Sequence, residues 1–301
     1  MPSYTRTLLR RTLQLLEKLY RERDLSGGQI QRIAVKPQWN AIIGTGGRCG
    51  LALNFTGIHD LYEDSRWVEE TLRPLVGRDL FQVAREGLDS PGMADACLGI
   101  AALSALSQPF LSPASLAERG IHSGGDIEVL ADIVREDDRV CVVGYGGIIR
   151  PLLGKVQELR VTEMRPKEAF QTLIVGEETE YGPQAVAVHP EEDNRAVLTS
   201  SDVNIITASS LINDTFDELL RSSAGARLIG VYGPSVTFVP DVLLEEGIDF
   251  VFSFWIRDTE RFAFDAVNDV DLEVALKRNQ HQHILSRTNP PELRVKPRKS
   301  P

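Results

Sequence analysis

The residues of this chain best suited to chemistry are small ones. In residues 140–152, VCVVGYGGIIRPL, an apolar β-branched run ends at Gly144, and Gly146 and Gly147 follow. This pattern predicts the first strand, tight turn and first helix of a Rossmann-like sheet, where glycines let the backbone approach a ligand at a helix N-terminus. The third glycine of the full dinucleotide pattern is missing, because Arg150 and Pro151 fall around its place. Glu163 lies about 20 residues beyond Gly144, at the end of a predicted second strand, 159–162. Rossmann-like proteins place there a carboxylate that accepts hydrogen bonds from ribose hydroxyls. A solvated Glu at a strand end is the competing reading.

Two further joints carry small polar groups. In SDVNIITASSLINDTFDELL, residues 201–220, a strand ends at Thr207, Ala208, Ser209 and Ser210, and Asn213, Asp214 and Thr215 are set to cap the next helix. Tyr232, Gly233, Pro234 and Ser235 repeat the order of strand, turn and small polar residue. Three such turns at the C-terminal ends of parallel strands make a crevice for a ligand. A fourth glycine turn, GTGGRCG at 44–50, offers backbone N–H groups and Arg48, although a plain hairpin explains it at least as well. His189 near Glu191, Glu192 and Asp193, and His281 with His283, lack the spacing of a metal site and read as an acidic loop and a polar tail. No metal ligand is assigned.

These joints need elements to hold them. Leucines at helical spacing predict an opening helix over 5–23, and strands follow at 30–35, 39–43 and 50–55, giving a small, mostly antiparallel sheet. Helical segments are expected at 66–75, 79–86 and 93–106, the last with a small-residue face. The Pro- and Ser-rich stretch 108–115 is the candidate connection between two domains. A helix over 127–135 then leads into the first strand, and strands at 203–207, 227–232 and 250–254, the last of them, alternate with helices. The insertion between Lys167 and Arg195 is expected to form a hairpin over the site, and residues 291–301 a loosely ordered Pro-rich tail.

Composition narrows the function. A net charge of -10 argues against a general nucleic-acid binder, and no apolar run approaches the roughly 20 residues a membrane helix needs. The N-terminus reads as an amphipathic helix rather than a signal peptide, so a cytoplasmic protein is expected. Cys49, Cys97 and Cys141 are too few and too scattered for a disulfide framework, and Cys97 and Cys141 read as buried hydrophobes.

The chain resembles the putative heavy-metal-chelation family, through VVGYGG at 142–147, DVNIITASSLINDTFDELL at 202–220 and YGPSVTFVPDVLLEEGID at 232–249. That resemblance implies an α/β fold, with an α+β enolase-N-terminal-like domain over 1–110 preceding a Rossmann-like doubly wound sheet over 111–290. It also implies a site between the domains, similarity to proteins that bind S-adenosylmethionine, and a link to metal homeostasis or metallophore synthesis. It places Gly144, Gly146, Glu163, Ser209, Asn213, Gly233 and Ser235 around the ligand; Tyr145, Gly147, Met164, Thr207 and Ala208 complete the candidate set. Two departures, Gly147 where the family commonly has proline and a longer insertion after Lys167, bear on ligand orientation and substrate. The expectation is therefore a transferase or lyase that uses S-adenosylmethionine or a related adenosyl ligand on a small molecule, with no assigned catalytic residue. The alternatives are a protein that binds a metal or metal chelate without catalysis, and a scaffold that serves association only. A homodimer is compatible with either.

Overall fold

Helix α1, Tyr4–Glu22, starts where the Ser3 hydroxyl accepts the Arg6 N–H at 3.2 Å, and its apolar stripe, including Leu9, Leu13 and Leu16, is buried. The computed structural model describes residues 3–36, 39–55, 68–165, 173–175, 178–180, 186–268, 270 and 272–297. Strands β1, Ile30–Lys36, β2, Trp39–Gly44, and β3, Arg48–Leu53, form an antiparallel meander. Of the helix expected at 66–75, the described part is a π turn, Val68–Leu72, and a 3-10 turn, Arg73–Leu75. Helix α2, Leu80–Asp89, then packs on α3, Met93–Ser107, which is buried on every side from Ala96 onward. The expected connection at 108–115 is folded: a 3-10 turn at Gln108–Phe110 leads into α4, Pro113–Glu118, with Phe110 and Leu111 fully buried.

The second unit opens with β4, His122–Gly124, and a 3-10 turn, Ile127–Val129, that continues as α5, Leu130–Ile133, two residues shorter than expected. Next come β5, Arg139–Val143, β6, Glu158–Glu163, the hairpin β7, Leu173–Val175, and β8, Glu178–Glu180, and then β9, Ala187–Pro190. Helix α6, Asn194–Thr199, precedes β10, Val203–Thr207; α7, Phe216–Ser222, precedes β11, Leu228–Tyr232; and α8, Asp241–Glu245, precedes β12, Phe250–Ile256. The chain continues through α9, Thr259–Val267, α10, Leu272–Asn279, β13, Gln280–Ser286, and α11, Pro290–Leu293. The large sheet has the order β4-β13-β12-β11-β10-β5-β6-β9, parallel except where β13 pairs with β12 and β4. Its parallel part runs outward in both directions from the β5/β10 pair, the topological switch point of an open doubly wound sheet.

Three expectations are corrected. No α-helix follows the glycine turn: residues Gly147–Leu152 form a 3-10 segment with Pro151 inside it, since proline supplies no N–H and clashes with the carbonyl four residues back. Strand β12 is not the last, because β13 caps that edge antiparallel. The tail is docked through Lys296. Arg227, 1% exposed, forms an ion pair with Asp138 and donates to the Leu293 carbonyl at 3.0 Å, and Lys296 pairs with Asp249. The insertion does contain a hairpin, β7-β8; residues 167–172, 176–177 and 181–185 lie outside the described residues.

The two units share one continuous apolar cluster running from Leu8 to Leu285. Polar bonds cross the same boundary: the Leu53 N–H donates to the Ser235 hydroxyl at 2.9 Å, the Ile256 N–H to the side-chain Oε1 of Gln108 at 3.2 Å, and Arg119 pairs with Asp241 at 3.0 Å. Among the described residues no helix is long and apolar enough to cross a membrane.

Candidate functional site

A cavity of about 730 Å³ opens at the C-terminal ends of β5, β6, β10 and β11, with Trp39, Leu53 and Phe55 of the small unit among its lining. Its volume is in the range of small-molecule sites. All twelve residues expected at the site line it: Gly144, Tyr145, Gly146, Gly147, Glu163, Met164, Thr207, Ala208, Ser209, Asn213, Gly233 and Ser235.

Gly144 ends β5 at φ +90°, and a Cβ there would lie 3.1 Å from the Tyr232 hydroxyl and 3.3 Å from Thr207 Cβ. Only glycine satisfies both constraints. The Tyr232 hydroxyl donates to the Gly144 carbonyl at 2.7 Å, so β11 clamps the turn. Burial, with the charge of Glu163 adding to it, pushes that phenol above its ordinary range, so it is a donor at neutral pH.

Glu163 is 6% exposed and already engaged. Its Oε2 accepts the Tyr145 N–H at 2.8 Å and Arg165 Nη2 at 3.1 Å; its Oε1 accepts the Arg165 N–H at 2.9 Å and Nε at 3.2 Å. A carboxylate offers about four acceptor positions, and four donors occupy this one. A ribose would therefore bind Glu163 by taking the place of the Arg165 guanidinium. The sequence EMR carries this partner two residues after Glu163.

After β10, Thr207 caps the start of a 3-10 turn, Ala208–Leu211, with its hydroxyl 3.0 Å from that of Ser209. The expected side-chain cap is different: Asn213 Oδ1 accepts the Thr215 hydroxyl at 2.8 Å within a turn, and α7 begins without a capping side chain. Gly233 has φ +114°, and the buried Ser235 hydroxyl beside it is bonded to β3. Ser235 thus joins the two units at the cavity wall.

Sequence reasoning missed the far end of the cavity, Phe252, Phe254, Lys277, Gln280 and Gln282, and the wall from Trp39 to Phe55. Alternation on β12 was the available signal, since Phe252 and Phe254 lie two apart and so face the same side. Arg48 of the GTGGRCG turn is 8% exposed and donates to the Thr45 carbonyl at 2.8 Å and the Tyr20 hydroxyl at 3.0 Å, so it holds a hairpin. All three cysteines are free and buried, and burial raises the Cys49 and Cys141 thiols to about 12. His281 and His283 belong to β13 and not to a polar tail. Among the described residues no group of three or more His, Cys, Asp or Glu is placed to hold a metal ion.

A family model described as putative heavy-metal chelation (DUF364) matches residues 129–269, and a second of the same description (DUF4213) matches residues 20–107. No curated protein matches the chain significantly. Among solved structures, a DUF364-family protein of unknown function from Pyrococcus horikoshii is 19% identical with a TM-score of 0.66, covering 93% of this chain and 99% of its own. Another, from Desulfitobacterium hafniense, is 19% identical with a TM-score of 0.63, covering 91% of this chain and 98% of its own. At this identity the likeness is one of fold.

Proposed function

This chain belongs to the putative heavy-metal-chelation family, and from that premise we propose that its cavity binds S-adenosylmethionine or a related adenosyl ligand for transfer to, or cleavage beside, a second small molecule. The observation that carries the reading is the joint after β5. A glycine turn lies at the switch point of the sheet with a carboxylate, Glu163, beside it, yet the segment that follows is a 3-10 turn broken by Pro151. The turn therefore lacks the α-helix dipole that stabilises a pyrophosphate, which favours one adenosyl group over a dinucleotide. The residues fit such a group: an added Cβ at Gly147 would meet nothing within 4 Å, and Met164 and Tyr145 add partly buried apolar surface.

Bound there, the sulfonium group would supply an activated carbon. This chain's residues would hold the donor in line with an acceptor, which needs no dedicated acid or base. A role in making a metallophore or other secondary metabolite agrees with the family description. Calorimetric titration of the full chain with S-adenosylmethionine should give saturable binding, tighter than NAD, that Glu163→Gln weakens by about tenfold, or 1.4 kcal/mol. Absence of heat, or equal binding of NAD, would sink the proposal.

The same family description favours a second reading, a protein that holds a metal or metal chelate without catalysis. Elemental analysis of the folded, purified protein tests it, and a stoichiometric metal would support it.

A further inference from the structure

A second cavity, of about 480 Å³, lies along the first turns of helix α1. Ser3, Arg6 and Arg10 line it, and positions three and four apart share one helix face. The outer two are satisfied. The Ser3 hydroxyl donates to Asp214 Oδ1 at 2.6 Å, and Arg10 Nε donates to Asp89 Oδ1 at 2.6 Å. Both carboxylates line the same cavity, with Arg6 on the face between their partners.

Arg6 is 8% exposed, yet its side chain makes no hydrogen bond and no ion pair with any described residue. Of its three nitrogens only Nη1 is sealed off. The edge formed by Nε and Nη2 is therefore open, and such an edge grips an oxyanion through two parallel hydrogen bonds. Burial lowers the proton affinity of this guanidinium, Asp214 opposes that and Arg10 adds to it, so its charge acts among groups of the cavity wall. A guanidinium withdrawn from water carries a large desolvation cost unless a counter-charge and hydrogen bonds offset it. Asp214 does not fill that role, since no ion pair joins it to Arg6 and its Oδ1 is taken by Ser3.

The start of α3 supplies another wall. Ser90, Pro91 and Met93 line the cavity there, and no side chain caps the helix; Asp95, in its first turn, accepts the Ser90 hydroxyl at 2.6 Å. The free N–H groups of a helix start put positive partial charge on that wall.

We propose that this cavity is a binding site for a small organic carboxylate, held by the open edge of Arg6. Asp214 at the rim repels a dianion more than a monoanion, and Pro91, Met93 and Ile212 give apolar surface for a short hydrocarbon chain. Asn213 borders this cavity and the first, so the two share the loop after β10. The assignment does not depend on what the first cavity holds.

Ligand-observed NMR titration of the full chain, with butyrate, butyramide and inorganic phosphate as probes, tests it. Butyrate should bind saturably and more tightly than the other two. Arg6→Met keeps a long buried stem without the charge and should weaken butyrate about tenfold. Arg6→Lys should fall between, because an ammonium lacks the planar fork. Asp214→Asn keeps an acceptor for Ser3 and tolerates the left-handed backbone at φ 65°, and it should tighten butyrate severalfold by removing a like charge. Without ligand, Arg6→Met should melt no lower than the wild type, since it removes an unpaired buried ion. A lower melting temperature, or loss of folding, would show that the chain itself balances Arg6 and would overturn the proposal. So would equal binding of butyramide, tighter binding of phosphate, or an unchanged butyrate affinity in either Arg6→Met or Asp214→Asn.

Discussion

His283 is fully buried on β13, with Nδ1 3.2 Å from the Ser123 hydroxyl and Nε2 without a partner. Burial, and secondarily His281, depress its pKa from 6.5 to about 3. The unfolded chain therefore binds a proton between those values that the folded chain refuses, so stability is full above about 6.5 and is lost progressively as pH falls toward 3. Urea midpoints between pH 7 and 4 should fall less steeply for His283→Gln than for the wild type, by up to about one proton in the slope. Equal slopes would show that other groups set the acid sensitivity. This histidine was hard to read in the sequence because its neighbours Gln280 and Gln282 are polar too. With polar groups on both faces of the strand, the alternation that marks a buried residue disappears. Gly144 and Glu163 were legible because their spacing follows from backbone geometry. The occupation of Glu163 by Arg165 was not, since it depends on side-chain direction at the strand end.

Helices α2 and α3 cross at two glycines. A Cβ at Gly99 would lie 2.8 Å from the Gly87 carbonyl carbon, and one at Gly87 would lie 2.6 Å from Gly99 Cα. Both obstacles are backbone, so the helices must part to admit a methyl group. Gly99→Ala should cost about 1–3 kcal/mol despite the better helix propensity of alanine. Gly225→Ala, where nothing lies within 4 Å, serves as the near-neutral reference. Chemical denaturation of the two variants compares them, and an unchanged midpoint for Gly99→Ala would mean that the crossing is slack. Elements with one dry face, such as α1 and β10, were readable from their periodicity. The short β4 and β9 and the polar β13 were not, because they gain strand geometry from neighbours distant in sequence. The missing helix after Gly147 was written in Pro151, whose penalty outweighs the apolar residues around it.

The two larger sheets of the molecule share one apolar cluster. The contacts between its units, Leu53 with Ser235, Gln108 with Ile256 and Arg119 with Asp241, are spread along the whole boundary. Thermal unfolding followed by far-UV circular dichroism and by tryptophan fluorescence, with Trp39 in the small sheet and Trp255 in the large one, should give coincident transitions. Two separated transitions would show that the units fold independently. The order of elements in each half was legible, including the doubly wound sheet. The cavity's far wall was not, because it joins residue 39 to residues 252–282 through a docking no local pattern encodes. Helix α3 lies at the centre of that docking: it is apolar all round, and its Ser104 reaches the Thr237 carbonyl 133 residues later. During synthesis at about 5–20 residues per second, α3 emerges on the order of ten seconds before the segment that covers it. For that interval the nascent chain carries a bare apolar helix with nothing of its own yet made to cover it.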